Sequence, residues 1–373
     1  MSLFDESVSA VPAPRRRMPR GTRVGLWSLV VALVALLGIS FLPTGFVIQQ
    51  PGPVYDTIGE VPDGEGGMQP LLSIPDAETH PTSGALDLLT VQVVGTPSRT
   101  ASWLEVVGAW FDRTRAVVPV ETVFPAGQSD QQRQEQNAVL MTDSQTEAQA
   151  AAFTYLGYDV GVAVEVVDIA EDGPAQGLLQ PDDVIVSVDG APVEGVQALR
   201  RTVTAKAGAP VTLGVLRGDD DTEIEVEVAP TEGDDGTWLL GITARDAFEL
   251  PFEVSFALQN VGGPSAGMMF ALGIIDLLTP GELTGGEAFA GTGTISVDGE
   301  VGAIGGIRQK LWGAVGAGAD WFLAPAANCG EVVGHVPDGL RVFAVSTLDE
   351  AVTAVETVAA GGDVDALPTC TAD

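Results

Sequence analysis

The 373-residue sequence has few residues of the kinds that metal centres and disulfide scaffolds require. It contains two cysteines and two histidines. Those numbers exclude a disulfide-dense scaffold, a four-cysteine zinc site and a centre with several histidine ligands. The sequence also has no G-x-x-x-x-G-K-[ST] motif, which excludes a P-loop ATPase within these residues. We therefore expect no metal and no cofactor.

Basic residues are scarce as well. The chain has 17 Lys+Arg against 51 Asp+Glu, a formal net charge of −34. This balance argues against nucleic acid as a partner, because phosphates require a basic surface. Lysine occurs only at Lys206 and Lys310, so a lysine inside a motif is informative. Hydrophobic residues make up 45% of the chain, which excludes wholesale disorder, and the length predicts two or three domains.

An uncharged run near the N-terminus predicts a membrane anchor. Residues 24–42 (VGLWSLVVALVALLGISFL) are long enough to cross a bilayer as one helix. Basic residues cluster before the run, and the next one after it is Arg99, so the positive-inside rule places residues 1–23 in the cytoplasm. The alternative is a cleaved signal peptide, which has a shorter apolar core and a small-residue cleavage site. We expect a single-pass anchor in the cell membrane, contacting lipid through residues 24–42, with everything that follows extracytoplasmic.

The chain after the anchor begins with a segment of no clear periodicity. Residues 43–82 are rich in proline, glycine and aspartate and are expected to form a juxtamembrane segment with a short strand near Val54. Residues 86–94 have the apolar, β-branched character of a buried strand, and residues 102–112 indicate a short helix. The polar residues 127–137 are expected to form an exposed loop. Asp143 and Ser144 then cap a helix predicted to end at Gly157.

Residues 161–229 have a different pattern. They predict a strand, a one-turn helix, a second strand, a tight turn at Asp189-Gly190, a helix and a hairpin. The G-P-A and L-x-x-x-D-x-I-x-x-V-D-G-x-x-V string from Gly173 to Val193 resembles a PDZ domain of the bacterial protease-associated kind. Asp182 replaces a glycine usual in that family. Residues 155–158 (YLGY) look either like the family's carboxylate-binding loop or like a helix end, so the domain either binds peptides by strand addition or serves as a spacer or lid.

A serine lies where a glycine-rich turn meets a helix. The segment Gly263-Pro-Ser265-Ala266-Gly267 follows a strand predicted at residues 253–258. Free N–H groups at the start of the helix can stabilise an oxyanion beside Ser265, and the glycines let a substrate backbone approach closely. The alternative role is an ordinary capping serine.

Lys310 is the candidate base for this serine. It lies in a helix that is almost entirely apolar after Arg308, and burial would lower the pKa of its amine from about 10.4 towards 7. An amine with such a pKa can accept the proton of a serine hydroxyl. The alternative is an exposed lysine on the polar edge of the helix. The two histidines, His80 and His335, lie in a linker and a turn and are expected at the surface.

Together these segments resemble the proteolytic domain of the Lon family. The family's P-S-A-G motif corresponds to residues 264–267. Its block T-G-x-I-x-x-x-G-x-V-x-x-I-G-G-[IL]-x-x-K runs unbroken from Thr292 to Lys310. The resemblance implies a catalytic Ser265–Lys310 dyad, with Thr292 hydrogen-bonded to the lysine and Gly263, Ala266 and Gly267 in supporting positions. It also implies an endopeptidase that acts on protein or peptide substrates, and homo-oligomers, because Lon-type domains often form rings. Because the P-loop motif of the larger Lon proteins is missing, we expect cleavage to be ATP-independent.

The expected fold class is α+β. The expected organisation is as follows: cytoplasmic tail 1–23, transmembrane helix 24–42, juxtamembrane segment 43–82, first part of a mixed α/β Lon-type domain 83–157, inserted PDZ-like β domain 158–245, catalytic part 246–357 and C-terminal tail 358–373. Cys329 and Cys370 face the oxidising side and are expected to form a disulfide that closes about 40 residues.

Two other functions fit parts of the sequence. Residues 263–267 also match the G-x-S-x-G elbow of α/β-hydrolase esterases, with Asp320 and His335 completing a triad. However, in that fold several βα units precede the elbow, whereas in this sequence a β domain precedes it. A membrane-tethered PDZ binding protein with an inactive protease fold is the other alternative. The presence of both Ser265 and Lys310 argues against it.

Overall fold

The computed structural model describes residues 20–40, 42–125, 130–218, 222–233, 236–258 and 261–371. Most of the expected cytoplasmic tail, and Phe41 within the expected transmembrane segment, lie outside these ranges. The chain divides into one unit of residues 1–49 and 93–127 and a second unit of residues 50–92 and 128–373. The boundary between them falls within two long strands, β1 (Phe46–Asp56) and β5 (Ala85–Val94).

The first unit contains the apolar N-terminal helix. Its elements are helix α1 (Arg20–Ser40), the start of β1, helix α2 (Trp103–Trp110), strand β6 (Ala116–Pro119) and the short helix α3 (Val120–Val123). Strand β6 pairs antiparallel with residues 46–49 of β1. Helix α2 begins at a capping box, in which the Ser102 side chain and the Glu105 carboxylate each accept a backbone N–H of the other residue. A small core around Ile48, Val106 and Ala109 holds this unit together.

The second unit is built on a sheet with the order β20-β19-β16-β5-β1. Its further strands are β16 (Ala288–Gly291), β19 (Trp321–Pro325) and β20 (Arg341–Val345). Strand β16 runs parallel to both β5 and β19, and β19 runs parallel to β20. The sequences of these strands, such as LDLLTV and WFLAP, are nearly continuous apolar runs, as expected of parallel strands covered on both faces.

Helices cover both faces of this sheet. Helices α4 (Asp130–Tyr155), α6 (Gly267–Leu278) and α9 (Leu348–Ala359) share one apolar core, and helix α7 (Ile307–Ala317) packs in another with Phe322 and Val342. Nearly all of α6 is buried, and each large side chain that it contributes is worth about 1.5–3 kcal/mol. The remaining short elements are β2 (Glu60–Pro62), β3 (Met68–Pro70), β4 (Leu72–Ser73), β15 (Ser255–Phe256), β17 (Thr294–Ile295), β18 (Val301–Gly302) and α8 (Cys329–Val332).

A second sheet is inserted in the chain between α4 and β15. Its order is β11-β10-β8-β7-β14, with β9 paired to β8. The elements are β7 (Gly161–Ile169), β8 (Val184–Val188), β9 (Ala191–Pro192), α5 (Val196–Ala205), β10 (Val211–Arg217), β11 (Thr222–Val228), β12 (Thr231–Glu232), β13 (Trp238–Leu239) and β14 (Ile242–Glu249). The expected α+β class, with a mixed α/β part and a separate β part, is confirmed.

Asp182 shows why its family position favours glycine. Its φ is +68°, in the left-handed region of backbone conformation that residues other than glycine rarely adopt. The next residue, Asp183, is buried and forms a bidentate pair with Arg217, whose Nε and Nη2 lie 2.7 and 2.6 Å from its two carboxylate oxygens. The Asp182-Asp183 pair therefore keeps the special turn and the ion pair that follows it.

Three expectations for local structure differ from what is observed. Residues 43–82 contain β1 to β4. Strand β1 continues through Pro51 and Pro53 because it pairs with neighbouring strands of the sheet. Residues 127–129 of the expected loop lie outside the described residues. Helix α4 begins at Asp130, so the loop is wrong from that residue onward, and Asp143 and Ser144 lie inside the helix instead of capping it. Its glutamine, glutamate and arginine residues are polar but good helix formers. The strand expected at residues 253–258 is reduced to β15, which pairs only with β4.

The C-terminal residues return to the sheet after α9. Cys329 and Cys370 form a disulfide bond with a Cα–Cα distance of 4.9 Å. The backbone N–H of Ala344 in β20 donates to the carbonyl of Pro368 at 2.9 Å, and the Arg341 guanidinium donates to Val364 O. These contacts and the disulfide attach residues 364–370 to the edge of the sheet.

A buried carboxyl in α6 makes stability depend on pH. Asp276 is fully buried, and burial raises its pKa to about 6 although Leu283 N donates to its Oδ1. The unfolded chain loses this proton near pH 3.9, so the free energy of unfolding should fall as pH rises from about 4 to 6. We expect Asp276→Asn to be on the order of 2–3 kcal/mol more stable than wild type at pH 8 and equally stable at pH 4. Urea unfolding of the full chain in micelles at both pH values measures this.

The matched control is Asp298→Asn, which changes an exposed carboxylate in a turn and should leave stability unchanged at both pH values. Equal stability of Asp276→Asn and wild type at pH 8 would contradict a raised pKa of Asp276.

Candidate active site

The serine of the P-S-A-G motif lies at the N-terminus of helix α6. Ala266 is the N-cap residue, and α6 proper begins at Gly267, so Ser265 immediately precedes the first turn. Gly263 adopts a φ of +93°, which lets the chain turn sharply into the helix. A side chain at Gly267 would lie 2.8 Å from Ile295 Cγ2 and 3.0 Å from Ser144 Oγ, so packing requires glycine there.

Lys310 reaches the serine from helix α7. Lys310 is only 2% exposed, and its Nζ lies 2.7 Å from Ser265 Oγ. Helix α7 packs on the opposite face of the sheet from α6. The two side chains therefore meet beyond the carboxyl end of β16, where the last sheet residue is Gly291.

Thr292, the residue after β16, is hydrogen-bonded to both Lys310 and Ser265. The Lys310 Nζ donates to Thr292 Oγ1 at 2.8 Å, and Thr292 Oγ1 donates to the Ser265 carbonyl at 2.9 Å. Gly293 N also donates to the Ser265 carbonyl at 3.0 Å. Since Thr292 is fully buried, this network holds the lysine amine and the serine backbone at a constant separation.

The environment of the lysine favours its neutral form. Burial lowers the pKa of Lys310 to about 7, and no charged neighbour contributes to the shift. A buried ammonium without a carboxylate partner is costly, so the proton is released at a much lower pH than in water. A large fraction of the molecules therefore carries an uncharged amine at neutral pH, with a lone pair available for the hydroxyl proton of Ser265.

Three further residues, Ser144, Asn137 and Asn328, support the site. Ser144 Oγ, on α4, donates to the carbonyl of Pro264 at 3.0 Å, and Gly263 N donates to the carbonyl of Asn137 at 2.9 Å. The Asn328 amide bonds both backbone groups of Ile304 at 2.9 Å, ahead of α7. Ser144 and Asn137 precede the serine by more than a hundred residues, and no local pattern indicates that they meet it.

The triad of the esterase alternative is not assembled. His335 is exposed in the turn after α8, where its Nδ1 lies 3.1 Å from the Val333 carbonyl. Asp320 is exposed next to β19. The Ser265 hydroxyl is hydrogen-bonded to Lys310. Within the described residues, no cluster of three or more His, Cys, Asp or Glu side chains is arranged to hold a metal ion.

The segment before β7 forms the end of α4. Gly157 has a φ of +83°, Tyr158 N donates to the Phe153 carbonyl at 2.9 Å, and the rings of Tyr158 and Phe153 pack edge to face. This is a Schellman C-cap with its usual apolar contact.

The strand that follows this cap is paired on both sides. Strand β7 pairs with β8 at Val164–Ile185 and with β14 along its whole length, from Gly161–Glu249 to Ile169–Ile242. A peptide that binds by strand addition needs an unpaired edge. In this structure the chain's own β14 occupies the second edge of β7.

Comparison with known proteins identifies both parts. Residues 134–228 match the PDZ domain family, and residues 259–357 match the C-terminal proteolytic domain of Lon protease (S16). The Lon protease of Neorickettsia sennetsu is 35% identical over 94 residues, which are 24% of this chain and 11% of that protein. The Lon protease of Campylobacter concisus is 28% identical over 140 residues, 36% of this chain and 17% of that protein. The matches thus span less than a fifth of the length of these relatives.

Among solved structures, the PDZ domain of an SdrC-like protein from Listeria innocua is 26% identical. It covers 22% of this chain and 92% of its own, with a TM-score of 0.21.

The Ser265 hydroxyl, the buried Lys310 amine and the start of helix α6 lie together within the residues that match the Lon proteolytic domain. The chain combines a Lon-type proteolytic domain with a PDZ domain.

Proposed function

We propose that this protein is a membrane-anchored serine endopeptidase that cleaves protein substrates outside the cytoplasm with a Ser265–Lys310 dyad. The observation that carries the proposal is the 2.7 Å contact between Ser265 Oγ and an almost completely buried Lys310 amine. An inactive binding fold has no need to bury an amine without a counter-ion, which costs free energy unless the amine is neutral.

The residues divide the chemistry as follows. Neutral Lys310 accepts the hydroxyl proton of Ser265 while Ser265 Oγ attacks the scissile carbonyl carbon. Backbone N–H groups of Ser265 and Ala266, at the start of α6, donate to the developing oxyanion. The Lys310 ammonium gives its proton to the leaving amine as the C–N bond breaks, which leaves an acyl-serine ester. Lys310 then takes a proton from a water molecule as its oxygen attacks the ester carbonyl, and returns the proton to Ser265 Oγ as the C–Oγ bond breaks. Thr292 keeps the amine in position throughout.

The cleft beside the dyad suits an extended substrate. It has a volume of about 470 Å³ and is lined on one side by residues 88–92 of β5 and on the other by residues 264–266. The pairing of β5 with β16 ends at Leu88–Gly291, and β5 then continues along the cleft. This edge can pair with a substrate backbone, which favours cleavage within unfolded or flexible segments.

Two features support anchoring and extracytoplasmic action. Residues 21–40 form a helix long and apolar enough to cross a membrane, and a signal sequence near the N-terminus would pass the same test. The arginines before this helix favour a cytoplasmic N-terminus. The disulfide between Cys329 and Cys370 suits an oxidising compartment.

We also propose a revised domain organisation. The protease domain gains β1 to β4 from the expected juxtamembrane segment, in addition to residues 83–157 and 246–357. The PDZ part, expected at residues 158–245, extends to Glu249, because β14 completes its sheet. Peptide hydrolysis by the dyad consumes no nucleotide, so cleavage should proceed without ATP. Homo-oligomers stay a prediction that light scattering of the full chain checks.

A fluorophosphonate label tests the proposed function. This reagent reacts covalently with an activated serine hydroxyl, so the full chain should be labelled at Ser265 and lose peptidase activity in proportion. Failure of wild type to label at pH 8, while Lys310 is neutral, would favour the alternative of a membrane-tethered PDZ binding protein with an inactive protease fold.

Thr292 is expected to position the lysine. In Thr292→Val the hydroxyl that accepts from Lys310 Nζ is lost with little change in volume. A displaced base is expected to lower kcat about 10²-fold with little effect on KM. Loss of this acceptor also disfavours the ammonium form, so the pH midpoint of activity should fall below that of wild type. Restoration by Thr292→Ser, with its hydroxyl, separates positioning from a general packing defect. Unchanged kcat and midpoint in Thr292→Val would contradict this role.

The PDZ part is expected to be removable as one piece. Its ends lie close together, because the ring centroids of Tyr158 and Phe252 are 5.5 Å apart. A variant lacking residues 161–249, joined by a short linker, should keep cleavage of a fluorogenic peptide within several-fold and change more on a full-length protein substrate.

The matched control lacks residues 161–229 only. It leaves β14 without β7, and an unpaired strand edge promotes aggregation. We expect this shorter excision to yield less folded protein. Failure of the 161–249 variant to fold would contradict the insertion.

A further inference from the structure

Helix α2 in the first unit carries an apolar surface that is left exposed by the residues the structure describes. Trp103, Leu104, Val107, Trp110 and Phe111 are 37%, 68%, 41%, 62% and 88% exposed. At 100° per residue they form one continuous stripe along the helix. The opposite side of α2 is occupied, because Val106 and Ala109 pack in the unit's own core. The sole polar side chain of the helix, Glu105, is used in the capping box.

This stripe, which we call the α2 face, lies a few residues from the end of the anchor. Thr44 N and Oγ1 both donate to the carbonyl of Ala101, at 3.3 and 2.6 Å, and Pro43 forms a bridge with Ser102. Three residues separate Ser40, the last of α1, from Thr44, so the two Cα atoms are at most about 14 Å apart. The start of α2 is therefore held near the end of the membrane helix.

The dimensions match a bilayer. The candidate span of 20 residues is about 30 Å long, the thickness of the hydrocarbon core. Its end thus lies at the border of the headgroup layer, which is roughly 5–8 Å thick on each side. Tryptophan is enriched at this depth in membrane proteins, since its ring is apolar and its N–H is polar.

The charges around the α2 face also fit lipid. In an otherwise strongly acidic chain, exposed Arg99 and Arg113 flank the helix, and exposed Arg115 lies beside them with its Nε 3.1 Å from Asp112 Oδ2. Guanidinium groups bind phosphate, and basic residues beside an exposed aromatic stripe are typical of helices that lie in the membrane interface. A protein partner would not require the stripe to be at the end of the anchor.

We propose that α2 lies in the outer headgroup layer of the membrane, with the α2 face inserted among the lipids and Arg99 and Arg113 on their phosphates. This inference rests on the proposed membrane anchoring. Together with α1, it would give the first unit two attachments to the bilayer, and so restrict its rotation about the anchor.

Fluorescence quenching in vesicles tests the inference. The full chain, carrying Phe111→Cys labelled with a nitrobenzoxadiazole dye, is reconstituted into phosphatidylcholine–phosphatidylglycerol vesicles. The two native cysteines are joined to each other, so the introduced thiol takes the label. We expect blue-shifted emission, and stronger quenching by lipids with a nitroxide near the headgroup than by lipids with one deep in the acyl chain.

A label at Leu33→Cys, in the middle of α1, tests the anchor separately. It should show the reverse preference, with stronger quenching by the deep nitroxide. If Leu33 behaves so while the Phe111 label is quenched by aqueous iodide and by neither lipid, the inference about α2 is overturned and the anchor stands. Shielding of Phe111 from both iodide and lipids would assign the face to a protein partner or a second copy and would also overturn it. Absence of lipid quenching at both positions overturns the anchor as well.

Discussion

Lys310→Met is expected to fold and to have almost no peptidase activity. Methionine fills most of the lysine's volume but has no basic nitrogen. Loss of a positioned general base lowers the rate by about 10²–10⁴-fold. The free energy of unfolding should be at least that of wild type at pH 7, because a desolvated amine is removed from the core. Cleavage of a fluorogenic peptide and urea unfolding of the full chain measure the two effects.

The pH dependence supplies a sharper test of the same residue. Wild-type activity should rise as pH increases through about 7, where Lys310 loses its proton, and chelators should leave it unchanged. Stability should rise with pH between about 7 and 10.4, because the unfolded chain holds this proton longer than the folded protein. Lys310→Met should lose both dependences.

Two further variants serve as controls for the prediction about Lys310. Lys310→Arg keeps the charge but cannot be deprotonated near neutral pH, so it should be nearly as inactive as Lys310→Met. Lys206→Met is the matched control, since Lys206 is the other lysine of the chain and forms an exposed ion pair with Asp189. It should retain full activity. Full activity in Lys310→Arg would rule out the dyad and leave the base unidentified.

Ser265→Ala is expected to have the largest effect on catalysis. The hydroxyl is the attacking group, and loss of a nucleophilic serine in a coupled catalytic unit lowers kcat by about 10⁶-fold. The fold should be unaffected, since Ser265 is only partly buried and its backbone carbonyl bonds to Thr292 and Gly293 are retained. In this variant the amine of Lys310 loses one of its two hydroxyl contacts but keeps Thr292.

Activity and fluorophosphonate labelling, measured together, give the test. Both should disappear in Ser265→Ala, whereas Ser346→Ala, at an exposed serine after β20, should retain both. Labelling at another serine, or residual cleavage above that of Lys310→Met, would show that the nucleophile lies elsewhere.

Where the candidate site depends on residues close together in the chain, short motifs were enough to select its residues. Ser265, Thr292 and Lys310 were all found from two short motifs, and the structure brings these three side chains together. The scarcity of lysine made Lys310 conspicuous, and the apolar helix around it implied burial. Ser144 and Asn137 were missed because their contacts with residues 263–264 depend on the packing of α4.

Local patterns were least informative where the partner is distant. Strand β1 contains two prolines and a glycine, which do not favour a strand. It forms because it pairs with other strands of the sheet. The first residues of α4 are polar and resemble a loop, but they continue a helix whose later part is buried against α6. The pairing of β14 with β7 could not be read from either strand alone.

The sequence by itself determined the apolar helix near the N-terminus, the α+β class, the PDZ strands and the proposed pairing of Ser265 with Lys310, because each depends on residue type and short-range spacing. Only the tertiary structure decided that a lysine from one face of the sheet reaches a serine from the other at 2.7 Å. It also decided that β14 pairs with the second edge of β7 and that the α2 face is exposed among the described residues. These features depend on which surfaces pack together, and packing is set by contacts between residues far apart in the chain.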